Sequence, residues 1–151
     1  MNRAGLYVVG QFVLFAVLAV SLIVFPLGQV PLLRLVGLIC IAIAFIVLAL
    51  AIREFRARNA ILPNITPTPN SRAALVSSGI YAYIRHPIYT SVLLGSVGVA
   101  LAHGNIAVMV IAAIMIVFFT FKAIYEESLL RVAYPEYGAY MTHTGRFLPF
   151  L

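Results

Sequence analysis

The sequence predicts an all-α protein: an integral membrane bundle of four transmembrane helices with a C-terminal interfacial amphipathic helix. Three observations carry that expectation. Hydrophobic residues make up 64% of the 151-residue chain and charged residues only 9%, whereas a soluble domain carries about 25% charged residues. The apolar residues gather in four long runs separated by turn residues. The ten Lys and Arg residues fall on alternate connections between those runs. An ordinary soluble globule and a disordered chain are excluded, because so few charges cannot solvate a surface and so many apolar residues do not stay unfolded in water. The length accommodates one membrane domain over residues 1–151.

The elements follow in order. Gly5 to Phe25 is apolar except for Gln11 and Ser21; about 21 residues give roughly 31 Å of helix, enough to cross a bilayer core. A cleaved signal peptide has an apolar core of only about 7–15 residues, so a retained helix is expected over 5–25. Pro26 to Pro31 reads as a short turn. A second helix is expected over 32–52, with Arg34 near its start snorkelling to the interface. Residues 53–85 are expected to form a cytoplasmic loop. They carry Arg53, Glu54, Arg56, Arg58 and Arg72 with Pro63, Pro67 and Pro69, and Asn64 to Ser71 is a run of turn residues. A third helix is expected over 86–102, its apolar part short for a span unless Pro87 and Tyr89 already sit at the interface. His103-Gly104-Asn105 turns the chain into a fourth helix over 106–127. In the tail, 128–151, Leu129, Leu130, Ala133, Tyr137 and Tyr140 recur at helical spacing, which predicts the amphipathic helix.

Apart from Arg34, the turns near Gly28 and Gly104 lack cations, whereas Arg3, the 53–85 segment, Lys122, Arg131 and Arg146 hold the other nine. The positive-inside rule then puts both termini and the long loop in the cytoplasm. With ten Lys and Arg against four Glu and no Asp, the formal charge is +6. These cations flank apolar spans, so orientation and anionic headgroups account for them, and no basic run is long enough for nucleic acid. The single Cys40 cannot form an internal disulfide, and His86, His103 and His143 lack metal-ligand spacing, so no metal is expected.

Polar groups are scarce and collect on the cytoplasmic side. Arg85-His86-Pro87-Ile88-Tyr89 opens the third helix, where Pro87 suits the first turn because its missing N–H would be unbonded anyway. The segment reads either as an interfacial anchor or as a ligand site at a helix start. Glu126-Glu127 ends the fourth helix. Adjacent helical positions differ by about 100°, so the helix turns only one carboxylate toward a given point. Two anions near a helix C-terminus oppose the macrodipole. They read either as a solvated helix end or as partners of a cationic ligand or of Arg85.

The stretch from Leu75 through Gly79-Ile80-Tyr81 to Arg85-His86-Pro87-Ile88-Tyr89 resembles the signature of isoprenylcysteine carboxyl methyltransferases and their prokaryotic relatives. A second block agrees in order and spacing: Glu126-Glu127, Leu130, Tyr137, Tyr140, then Arg146-Phe147-Leu148-Pro149-Phe150. The resemblance covers roughly residues 64–151. It implies a membrane-embedded methyltransferase that uses S-adenosylmethionine, held on the cytoplasmic side, and a lipophilic small-molecule or lipidated substrate arriving from the membrane lipids. Carried over by motif position, Arg85 and Glu127 would be catalytic. Gly79, Tyr81, Arg85, His86, Pro87, Tyr89, Glu126, Glu127, Tyr137, Tyr140 and Arg146 would bind the cofactor. One departure is Ser91, where the family often has Gly. The resemblance implies carboxylate O-methylation in the inner membrane of a prokaryotic cell. The alternatives are phospholipid or amine N-methylation and a non-enzymatic helical-bundle subunit.

Overall fold

In the computed structural model, residues 3–69 and 73–149 are described. Asn70, Ser71 and Arg72 of the polar loop, Phe150 of the C-terminal motif and both chain ends lie outside the described residues. The apolar runs form four helices: α1 (Arg3–Val24), α2 (Pro31–Asn59), α3 (Pro87–His103) and α4 (Ile106–Ala133). A short 3-10 turn (Gly79–Ala82) precedes α3, and α5 (Tyr137–Thr142) follows α4.

Local chemistry explains where these helices start and stop. Pro31 and Pro87 open α2 and α3. The Asn105 side chain caps α4 by accepting the Ala107 N–H at 2.9 Å. Gly104, at φ 73°, ends α3 in the left-handed conformation that costs glycine least.

Two boundaries differ from expectation. α2 continues to Asn59 rather than ending at residue 52, so Arg53, Glu54, Arg56 and Arg58 are helical. Hydropathy falls there but helix propensity does not. Glu54 and Arg58 pair at 3.3 Å, and Arg56 and Arg58 suit the negative end of the helix dipole. The tail stretch expected to be one amphipathic helix is divided. Leu129 to Ala133 finish α4, Pro135 interrupts, and Tyr137 and Tyr140 belong to the six-residue α5, with Tyr137 buried. Proline lacks the N–H that would continue the α4 ladder, and it disfavours helical geometry at the residue before it.

α3 packs between α2 and α4, and α1 packs on α4. The α2–α3 contact is the most extensive because the backbones touch. A Cβ at Gly37 would lie 2.4 Å from the Gly98 carbonyl oxygen and from the Ala102 nitrogen. The interior joins Leu93 to Met115 and Phe119, and Ala100 to Val108 and Ala112. Leu6, Phe12, Phe45, Ile114 and Val117 face outward, as lipid-facing positions do. α1, α2 and α4 are long and apolar enough to cross a membrane, and α3 is a shorter apolar helix of 17 residues. The protein is an integral membrane protein.

One end of the molecule is closed simply. Gly28 N–H donates to the His103 carbonyl at 2.8 Å, and Asn105 Nδ2 donates to the Pro26 carbonyl at 3.1 Å, tying the two turns together. The other end gathers residues 60–69 and 73–86, the end of α4, α5 and the tail. There the tail runs parallel to residues 83–86. Arg85 N–H donates to the Gly145 carbonyl at 2.8 Å, and His86 N–H to the Arg146 carbonyl at 3.1 Å.

Candidate functional site

Gly79 starts the geometry. Its φ of +57° and the Glu54 carboxylate, 2.7 Å from where a Cβ would stand, leave room only for glycine. Glu54 Oε1 also accepts Ser78 Oγ–H at 2.6 Å, so the end of α2 holds the 3-10 turn. That turn presents Tyr81, whose carbonyl accepts the Tyr140 hydroxyl at 2.6 Å. The parallel tail bridge then fixes Arg85 and His86 immediately before α3.

Glu127 is the charged hub. Its side chain is only 4% exposed, and it accepts Arg85 Nε at 3.1 Å, Arg146 Nε at 3.1 Å and Arg146 Nη2 at 2.8 Å. His86 Nε2 is 3.3 Å from Glu127 Oε1 but without hydrogen-bond alignment. Arg85 Nη1 reaches the carbonyls of Met141, at 3.3 Å, and Thr144. Glu126, one residue earlier, turns another way and accepts the Tyr89 hydroxyl at 2.6 Å. The His86 and Tyr89 rings stack at 5.3 Å and 3°.

These groups border a partly open cleft of about 140 Å³. Tyr81, Arg85, His86, Pro87, Tyr89, Glu126, Tyr137 and Tyr140 line it, together with Asn64, Thr66, Thr68 and Tyr134. Gly79, Glu127 and Arg146 do not line it: Gly79 shapes the turn, and Glu127 and Arg146 form the charged layer behind the wall. Glu126 is the one carboxylate on the cleft wall among the described residues.

Burial pushes the Tyr140 phenol up to about 12, against the opposing pull of the Arg85 guanidinium. Burial raises Tyr81 and Tyr137 as well. At neutral pH these tyrosines are therefore neutral donors. The Tyr137 hydroxyl is buried on the cleft wall with no hydrogen-bond partner among the described residues. Glu127 raises the Arg146 guanidinium further, keeping it charged.

Three participants lie outside the motif residues assigned to the site from the sequence. Tyr134 lines the cleft and donates to the Ala73 carbonyl at 2.6 Å. Lys122 is buried against Gln11 and Ile65. The 64–69 segment forms a wall of the cleft. Gln11, a polar residue inside an apolar run, was the only signal for the second of these, and it names no partner.

Residues 32–137 match the family model described as phospholipid methyltransferase. Over 81 residues the chain is 35% identical to the cobalt-zinc-cadmium resistance protein CzcN of Cupriavidus metallidurans, a match that covers 50% of this chain and 35% of that protein. The fold is similar to that of the eukaryotic intramembrane Ras methyltransferase ICMT (isoprenylcysteine carboxyl methyltransferase). The TM-score is 0.66 at 21% identity, over 99% of this chain and 54% of that one. The chain thus spans about a third of the length of the curated relative and about half of the solved structure.

Proposed function

Because this chain belongs to the family described as phospholipid methyltransferase, we propose that it is a membrane methyltransferase that methylates a lipophilic acceptor with S-adenosylmethionine at the cytoplasmic membrane face. A carboxylate oxygen is the favoured acceptor. The observation that carries this reading is the cleft itself, which brings one carboxylate, one guanidinium and several tyrosines together at the polar end of apolar helices.

The cofactor fits the residues present. Glu126 spends one oxygen on Tyr89 and has no other hydrogen-bond partner among the described residues, leaving an acceptor for the cofactor's ammonium. Arg85 directs Nε and Nη1 to protein groups, and Nη2 has no partner among the described residues, so it is available for a carboxylate. Tyr81, Tyr89 and Tyr140 offer ring surface to a sulfonium. The orphaned Tyr137 hydroxyl supplies a donor that a ligand would satisfy. When bound, S-adenosylmethionine supplies an electrophilic methyl group.

The residues' own contribution is orientation and exclusion of water. Glu127 pairs with Arg85 and Arg146 from behind and fixes Arg85 on the wall. In this arrangement Glu127 is a positioning residue, and Arg85 and Glu126 touch the ligand. In-line transfer depends on holding donor and acceptor in register, which a rigid wall of this kind supplies.

Acceptor chemistry follows from the same inventory. A carboxylate acceptor is already ionised at neutral pH, whereas a protonated amine must first lose a proton. With Glu126 engaged by the ammonium, no second wall carboxylate is present among the described residues to take that proton. The second reading, phospholipid N-methylation, is supported by the family description. The test is methyl transfer from labelled cofactor into a total lipid and small-molecule extract. Label released by mild alkali as volatile methanol identifies a methyl ester and is the expected result. Alkali-stable label in an amine would replace the first reading with the second. No transfer, with no binding of S-adenosylhomocysteine, would end both.

A further inference from the structure

Lys122 lies one turn before Glu126 on α4 and is 1% exposed. Its ammonium donates to Gln11 Oε1 of α1 and, at 3.2 Å, to the carbonyl of Ile65. It also lies 5.0 Å from the centre of the Tyr89 ring. A lysine near the end of a membrane helix ordinarily snorkels outward. This one turns inward, where no carboxylate pairs with it among the described residues. An ammonium has three N–H donors, and a buried one must use them well. Here two are spent joining α1 to the loop, and the charge faces the ring that holds Glu126.

What the ammonium holds is part of the cleft. Ile65 stands between Asn64 and Thr66, and both line it. Pro67, next along, is fully buried. Tyr89 lines it too and donates to Glu126. α1 contributes no lining residue, so Gln11 reaches the cleft only through Lys122.

We propose that Lys122, braced by Gln11, is a positioning residue that latches the 61–69 segment over the cleft and orients Tyr89 for Glu126, and so sets cofactor affinity. The proposal rests on the methyltransferase reading above, and its experiment separates the two. The full chain in lipid nanodiscs is compared with Lys122→Met, Lys122→Arg, Gln11→Leu and the double variant Gln11→Leu/Lys122→Met. Two quantities are read: hydrogen exchange across residues 61–69, and binding of S-adenosylhomocysteine.

Lys122→Met keeps the length and the helix propensity but removes the charge and the donors. Exchange in the segment should rise, and the dissociation constant should rise about tenfold, the scale of one lost charge-assisted hydrogen bond. Lys122→Arg keeps charge and donors and should recover most of the affinity. The double variant should be no worse than Lys122→Met alone, because both changes cut one linkage. Unchanged exchange over 61–69 in Lys122→Met overturns the latch, as does an additive double variant. If Lys122→Met does not fold, Gln11→Leu decides: exchange and affinity both at wild-type values overturn the proposal. Wild-type protein that does not bind S-adenosylhomocysteine would defeat the cofactor reading, while the exchange measurement still judges the latch.

Discussion

Glu126 and Glu127 differ by one position and by nearly everything around them. Glu127 is enclosed by Arg85, Arg146 and His86, and Glu126 stands on the cleft wall with Tyr89. Removing the charge of Glu127 would leave two guanidiniums without their counter-ion in a partly dry site. Glu127→Gln should therefore lower stability by about 3–5 kcal/mol, read as a large fall in the thermal midpoint in detergent. Glu126→Gln should leave the midpoint nearly unchanged and weaken S-adenosylhomocysteine binding roughly 10–100-fold, the scale of a charge-assisted hydrogen bond lost to a ligand. Equal midpoints for the two variants would refute this division. Tyr140 adds a pH dependence. Its folded value of about 12 lies above the ordinary 10.0, so the folded state keeps the proton longer than the unfolded chain. The resulting stability is complete below pH 10.0 and lost as pH rises toward about 12. Tyr140→Phe should flatten the fall of the thermal midpoint over that interval, and an unaltered slope would count against the burial argument.

At the level of elements, the α2–α3 crossing is the tightest contact and makes the sharpest demand. Any side chain at Gly37 meets backbone atoms of α3 that cannot turn aside. Gly37→Ala should cost about 1–3 kcal/mol, the usual scale of overpacking. Gly95→Ala, whose new methyl would meet only the Ala44 Cβ at 3.7 Å, should be nearly neutral. Similar thermal midpoints for the two variants would mean that the helices separate freely. The crossing also marks the reach of sequence reasoning. The four apolar runs were legible because a bilayer demands long helices whatever their neighbours. The pairing of Gly37 with Gly98 was not, since glycines in apolar runs signal no partner. Hydropathy ended α2 too early because Arg53, Glu54, Arg56 and Arg58 are polar yet good helix formers. Periodicity joined Leu129 to Tyr140 across Pro135, although the proline divides them. In the site, motif residues named the wall, and the helical angle between Glu126 and Glu127 required them to diverge. Which one faces the cleft depends on the tail, because Arg146 claims Glu127. Lys122 was counted only as a cytoplasmic-side cation, since Gln11, which holds it inside, stands 111 positions away.

For the whole molecule, the proposed function requires that the cleft open on the side where S-adenosylmethionine is made, the cytoplasm. Charge argues the orientation. Arg53, Arg56, Arg58, Arg85, Arg131 and Arg146 all lie at the cleft end of the helices, and among the described Lys and Arg residues Arg34 alone sits near the opposite turns. The cytoplasmic excess of Lys and Arg sets topology when the connecting segments are short, as they are here. Two exposed positions report the two ends: Thr68 in the wall of the cleft and Gln29 in the α1–α2 turn. Cysteines introduced singly at these positions, with Cys40→Ala to remove the native thiol, should react with a membrane-impermeant maleimide from opposite sides. Thr68→Cys should label only in inverted vesicles or opened cells, and Gln29→Cys in intact cells whose outer barrier has been permeabilised. Adding positive charge to the turn at Gln29 should weaken the orientation, because it offsets the bias that directs insertion. Labelling of both positions from one side would break the hairpin arrangement, and a clean reversal would turn the cleft away from the cytoplasmic cofactor supply and defeat the proposed reaction.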